Sequence, residues 1–124
     1  MAVYFKNANI VHIGDLIQSD IFPFCDNDHG GNLVKLSENI GKVIATMPAN
    51  VRIIPTHGRE YTLDDLKKYK GMIEGVIGIV RAEMRKGKSL EKMKAADILK
   101  DYKAWATQWG TCNDMIDYAY KSLK

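Results

Sequence analysis

Two residues of the chain have the type and the setting for metal chemistry: Asp15, within residues 10–16 (IVHIGDL), and His57, within residues 51–60 (VRIIPTHGRE). A carboxylate can hold or bridge divalent cations, and a neutral imidazole binds zinc through one ring nitrogen. Each stands where a short β-branched run stops at glycine, proline or polar residues, which reads as a buried strand ending in a tight turn. If the two strands are parallel neighbours in one sheet, Asp15 and His57 emerge together just past their carboxyl ends, the rim on which open α/β sheets hold ligands. A catalytic zinc takes three ligands from its protein, so two do not complete a site. His29 in CDNDHGG, beside Asp26 and Asp28, is the third candidate, against the plainer reading of that cluster as loop capping. His12, two residues inside the first strand, reads as a hydrogen-bonded structural histidine near the rim. Cys25 becomes a nucleophile only with a base beside it, and His29 is close to it in sequence. No catalytic residue is assigned.

The elements that must position these residues follow from local pattern. Residues 2–6 (AVYFK) and 10–14 flank Asn7-Ala8-Asn9, a link suited to an antiparallel hairpin. Residues 16–31 have no period and read as a loop wrapping the rim, pinned by burial of Phe22, Pro23 and Phe24. A helix is expected over 32–47, with Leu33, Leu36, Ile40, Val43, Ile44 and Met47 on one face and Pro48 ending it. The strand at 51–55 then completes strand, helix, strand, the crossover that parallel strands require.

Thr62 and Asp65 form a capping-box pattern at the start of the next helix, with Asp64 and Asp65 on its positive end. Leu66, Tyr69, Ile73, Val76, Ile77, Val80 and Met84 give it an apolar stripe. Gly71, Gly75 and Gly78 lie inside it at about 1 kcal/mol each relative to alanine, which implies close packing against another element. Gly87 ends this helix and Ser89 caps a shorter one running to about residue 103. A break over 105–110 leads to a last helix over 113–123. Trp105, Trp109, Tyr118 and Tyr120 read as packing residues.

At 124 residues the chain is one domain. Its apolar and charged fractions are those of a folded globular protein, which argues against disorder and coiled coil. No apolar run approaches the roughly 20 residues that span a bilayer, and no export signal opens the chain, so a cytoplasmic protein with no membrane contact is expected. Cys25 and Cys112 are far apart and read as free thiols. The net charge of +3 comes from cations such as Lys67, Lys68, Lys70, Arg85, Lys86 and Lys88, without interleaved aromatics, which argues against nucleic acid as a partner.

The order VYFKNANIVHIGDL, a loop carrying FPF and GGN, a helix, then IIPTHGRE and a long helix resembles the C-terminal half of the metallo-β-lactamase fold hydrolases. KSLEKMKAADILKDYKAW also resembles the tail of the bacterial members, so nearly the whole chain is covered. GDL and HGRE are each weak signals alone; together, in order, each after a strand and about 40 residues apart, they are fairly specific. The resemblance implies that Asp15 matches the aspartate bridging two zinc ions and His57 the last histidine ligand of the second ion. Two departures stand out. Thr56 and Arg59 replace the glycine before the histidine and the proline after the next glycine, and IQSD follows Asp15 where aromatic or asparagine-rich sequence is common.

A larger departure is an absence. The motif His-x-His-x-Asp-His, which the family carries in its N-terminal half, is nowhere in this chain, whose histidines are His12, His29 and His57. The fold expected is therefore α/β, half of an αββα sandwich: a small mixed sheet of about three strands with three to four packed helices. Function is expected to be that of the C-terminal portion of a zinc-dependent hydrolase, not competent alone. The alternative is a free-standing interaction module on the same scaffold without catalysis. Apolar surface left where the halves would meet implies self-association as a two-fold dimer, or pairing with a separate N-terminal half.

Overall fold

A computed structural model describes residues 3–108 and 110–123, and for Asp15, Leu16 and His57 the backbone alone. Ala2 and Trp109, named above, lie outside the described residues. The chain is α/β, with a mixed three-stranded sheet in the order β1-β2-β3. Strand β1 (Val3–Phe5) pairs antiparallel with β2 (Ile10–Gln18), Val3 opposite His12 and Phe5 opposite Ile10. The turn between them closes through Asn9 N–H to the Lys6 carbonyl at 3.2 Å, with Asn9 in the left-handed region. Asn9 then reaches across the sheet to donate to the side chain of Asn50 at 3.0 Å, which ties the hairpin to the segment entering β3 (Arg52–His57).

Strands β2 and β3 are parallel, joined by helix α1 (Leu33–Thr46) as the apolar periodicity requires. Asn32 caps α1 by accepting the Lys35 N–H at 3.1 Å. Helix α2 (Leu63–Arg85) opens on the expected capping box: Thr62 Oγ1 accepts from Asp65 N–H at 3.2 Å and Asp65 Oδ2 from Thr62 N–H at 3.0 Å. Helix α4 (Cys112–Leu123) starts with a second box, Thr111 with Asp114. Near its end, Ser122 Oγ accepts the Leu33 N–H at 2.9 Å, so the last helix helps cap the first.

One face of the sheet, through Val11, Ile13, Ile17 and Ile53, is buried with Leu33 and Ile40 of α1 and with Leu66, Tyr69, Ile73, Val76 and Val80 of α2. On the other face Val3, Phe5, His12, Arg52 and Thr56 are exposed, Val3 at 44% and Phe5 at 54%. The alternation of a one-sided sheet is therefore legible residue by residue. Among the described residues no helix is long and apolar enough to cross a membrane. Cys25 and Cys112 are free thiols.

Four expectations need correction. Strand β2 does not stop at Gly14-Asp15 but runs to Gln18, because bulges carry it past the glycine. Phe24 does not pin the rim loop: Phe22 and Pro23 are buried, but Phe24 is 69% exposed and meets only the edge of Tyr118, at 6.2 Å, while Cys25 takes the inward place. The helix from Ser89 to residue 103 is two pieces, α3 (Leu90–Ala95) and a 3₁₀ turn (Lys100–Trp105). Met93 and Leu99 are both fully buried at a separation that one helical face does not provide, and the chain turns at Asp97, whose φ is +52°, to bury both. Of the three glycines in α2 only Gly75 is closely packed, where a Cβ would overlap the Tyr102 hydroxyl; Gly71 and Gly78 face open space.

Candidate functional site

The parallel register sets Gly14 opposite Pro55 and Gln18 opposite His57. Between those pairs β2 spends residues 15–17 while β3 spends only Thr56, so β2 bulges at Asp15 beside the end of β3. Bulges of this kind bend a strand and re-aim side chains, and they concentrate next to active sites. Asp15 thus lies inside β2, not past its end, and His57 is the last residue of β3. Both flanking glycines use the freedom only glycine has: Gly14 lies at φ +59° and Gly58 at +105°. A Cβ on Gly58 would in addition stand 2.5 Å from Ser19 Cβ and 2.9 Å from its backbone nitrogen.

A polar clamp holds the two strand ends together. Ser19 Oγ donates to the Arg59 carbonyl at 2.7 Å. The Arg59 guanidinium grips Asp20 with Nε to Oδ2 at 2.7 Å and Nη2 to Oδ1 at 3.1 Å, and reaches Asp65 Oδ2 with Nη1 at 3.2 Å. It also lies 4.7 Å over the ring of Tyr61, in cation–π range. Tyr61, buried, pairs with Ile53 through two backbone bonds along the outer edge of β3. Its hydroxyl accepts from Asp20 N–H at 2.7 Å and donates to Asp20 Oδ1 at 3.1 Å. Asp20 is in the left-handed region, φ +67°, and these bonds over-determine that conformation. From below, the buried Tyr69 of α2 accepts the Gln18 N–H at 3.4 Å and donates to the Ile21 carbonyl at 2.9 Å.

The electrostatics follow the geometry. The Arg59 bond holds the Asp20 carboxyl below its ordinary 3.8. Asp65 is lowered first by the Thr62 N–H it accepts and then by Arg59. Burial pushes the Tyr61 hydroxyl up to about 12. Carboxyl values depressed by folding stabilise the folded state above their unfolded values, near pH 4, and that contribution is lost as pH falls through the folded values. The urea midpoint is therefore expected to fall as pH drops from 5 to 3, and to fall less steeply in Asp20→Asn. Because both carboxylates are partly exposed, high salt should flatten the same profile.

The remaining candidates have other partners. His29 is 81% exposed at its side chain and its Nδ1 lies 2.7 Å from Asp26 Oδ2, in the 3₁₀ turn Asn27–His29, which is the loop-capping arrangement. His12 is exposed and accepts the Gly14 N–H at Nδ1, 3.2 Å. Burial raises the Cys25 thiol pKa, the opposite of what an activated nucleophile needs. Among the described residues no group of three or more His, Cys, Asp or Glu could hold a metal ion, a search that does not reach the side chains of Asp15 and His57. The donor types of those two residues suit zinc, and their count makes half a site. A cavity of about 180 Å³ opens beside the end of β2, lined by Gln18, Phe22, Pro23, Phe24, Thr107, Gly110 and Tyr118.

Sequence reasoning missed Ser19, Asp20, Tyr61 and Tyr69 as parts of this rim. A signal was present. Asp20 of IQSD and Arg59 of HGRE are the two places where the chain departs from the pattern it resembles, and they are bonded to each other. No protein-family model matches the chain, and no curated protein matches it.

Proposed function

We propose that this chain is the C-terminal portion of a metallo-β-lactamase-like, zinc-dependent hydrolase, contributing Asp15 and His57 to a two-zinc site whose other ligands come from an N-terminal half. The observation that carries the reading is the bulge in β2 at Asp15, alongside the end of a parallel β3 that finishes on His57. It brings a carboxylate residue and an imidazole residue to one edge of one sheet, between glycines in conformations that favour glycine. When bound, paired zinc ions lower the pKa of a shared water and polarise the bond to be cut. The role of this chain is to present its two ligands on a braced rim; hydrolysis by the chain alone is not expected.

Equilibrium dialysis against excess zinc tests this. Wild type should retain zinc above background, weakly, and Asp15→Ala and His57→Ala should each bring it to background. Equal retention in all three, or none in wild type, would count against the proposal. The exposed face carrying Val3 and Phe5 favours a second reading, an interaction module that associates through its sheet as a two-fold dimer. Light scattering at tens of micromolar would show a dimer on that reading and a monomer against it.

A further inference from the structure

We infer that Arg59 is a positioning residue for this half-site: by joining Asp20, which follows β2, to Asp65, in the first turn of α2, it fixes the end of β3 against the bulge of β2. The inference rests on the proposed zinc role of Asp15 and His57 and extends it to a residue that touches neither the metal nor substrate. Arg59 follows His57 by two residues, with only Gly58 between them. Gly58, at φ +105°, does not itself stiffen the chain, so the orientation in which β3 ends must be set beyond it.

Arg59 has the contacts to set it. Its fork spans two carboxylates on separate elements, its carbonyl accepts from Ser19 Oγ, and its plane lies against the Tyr61 ring. A lysine cannot reproduce this, because one ammonium lacks the planar fork that meets two carboxylates at once. Asp20 answers in kind: it holds a left-handed backbone, costly for a residue other than glycine, and its carboxylate meets both Arg59 and Tyr61. Such an arrangement is more than an exposed ion pair requires, since exposed pairs contribute little stability on their own. Its effect is better read as geometric, in the way residues behind a metal ligand orient it.

The test is a zinc titration followed by amide resonances at residues 14–16 and 56–58, in wild type, Arg59→Ala, Arg59→Lys, Asp20→Asn and the core control Ile40→Val. Arg59→Ala should weaken zinc binding about 10-fold or more. Arg59→Lys and Asp20→Asn should fall between it and wild type, and Ile40→Val, which destabilises the fold away from the rim, should bind as wild type does. If Arg59→Ala does not fold, the same ordering of Arg59→Lys, Asp20→Asn and Ile40→Val decides. Wild-type affinity in the Arg59 and Asp20 variants, or an equal loss in Ile40→Val, overturns the positioning role alone. A wild-type chain whose rim does not respond to zinc overturns the half-site and this inference with it.

Discussion

Gly58→Ala is expected to lower stability by about 1–3 kcal/mol and to loosen the rim before the rest of the fold, because the position is constrained twice over. At φ +105° an L residue is strained whatever space surrounds it. Space is also missing: the new Cβ would meet Ser19 at its Cβ and at its backbone nitrogen, and a backbone atom does not swing aside as a side-chain tip does. Relief requires moving β3's end away from β2's, which pulls Ser19 Oγ from the Arg59 carbonyl and Asp20 from the guanidinium. Urea denaturation should show the lower midpoint, and hydrogen exchange should rise first over residues 17–21 and 56–61. A midpoint equal to wild type would mean the strand ends are not held as tightly as these contacts require.

Tyr69→Ala should be the more damaging change, at about 3–5 kcal/mol, the range for deleting a large buried aromatic. The ring is fully buried, edge-on to Tyr61 at 6.2 Å and to Trp105 at 5.6 Å, so its loss opens a cavity beneath the rim. Its hydroxyl accepts from Gln18 and donates to Ile21, so truncation also strands a backbone N–H and a carbonyl. Tyr69→Phe separates the two effects: it keeps the ring and should cost about 1 kcal/mol for the bonds alone. If the two variants were equally destabilised, the packing half of this explanation would fail.

Much of the scaffold was legible because its signals are local. The Thr62 box, the Pro48 stop and the spacing of Leu33, Ile40 and Val43 need no knowledge of the rest of the chain, and α1 and α2 begin and end within a residue or two of the expected places. The parallel pairing of β2 with β3 followed from the crossover between them. What was not legible depends on meetings distant in sequence. The bulge at Asp15 is defined by how β2 sits against β3, and nothing in IVHIGDLIQ announces that three residues will oppose one. The turn at Asp97 exists to bury Leu99, although the sequence around it stays helical in pattern. Phe24 looked like a core residue because apolar type does not reveal which of three neighbours will face in. Asp20 and Arg59 meet across 39 residues, and only their oddness against a resembled pattern hinted at a pair.

The measurement closest to the central claim maps zinc onto the wild-type chain by its amide resonances, with Asp15→Ala and His57→Ala alongside. The account predicts zinc-dependent shifts centred on residues 14–16 and 56–58, on both strand ends together, and their disappearance in either variant. Shifts centred instead on His29 and Asp26, or shifts at the strand ends that survive either substitution, would contradict it.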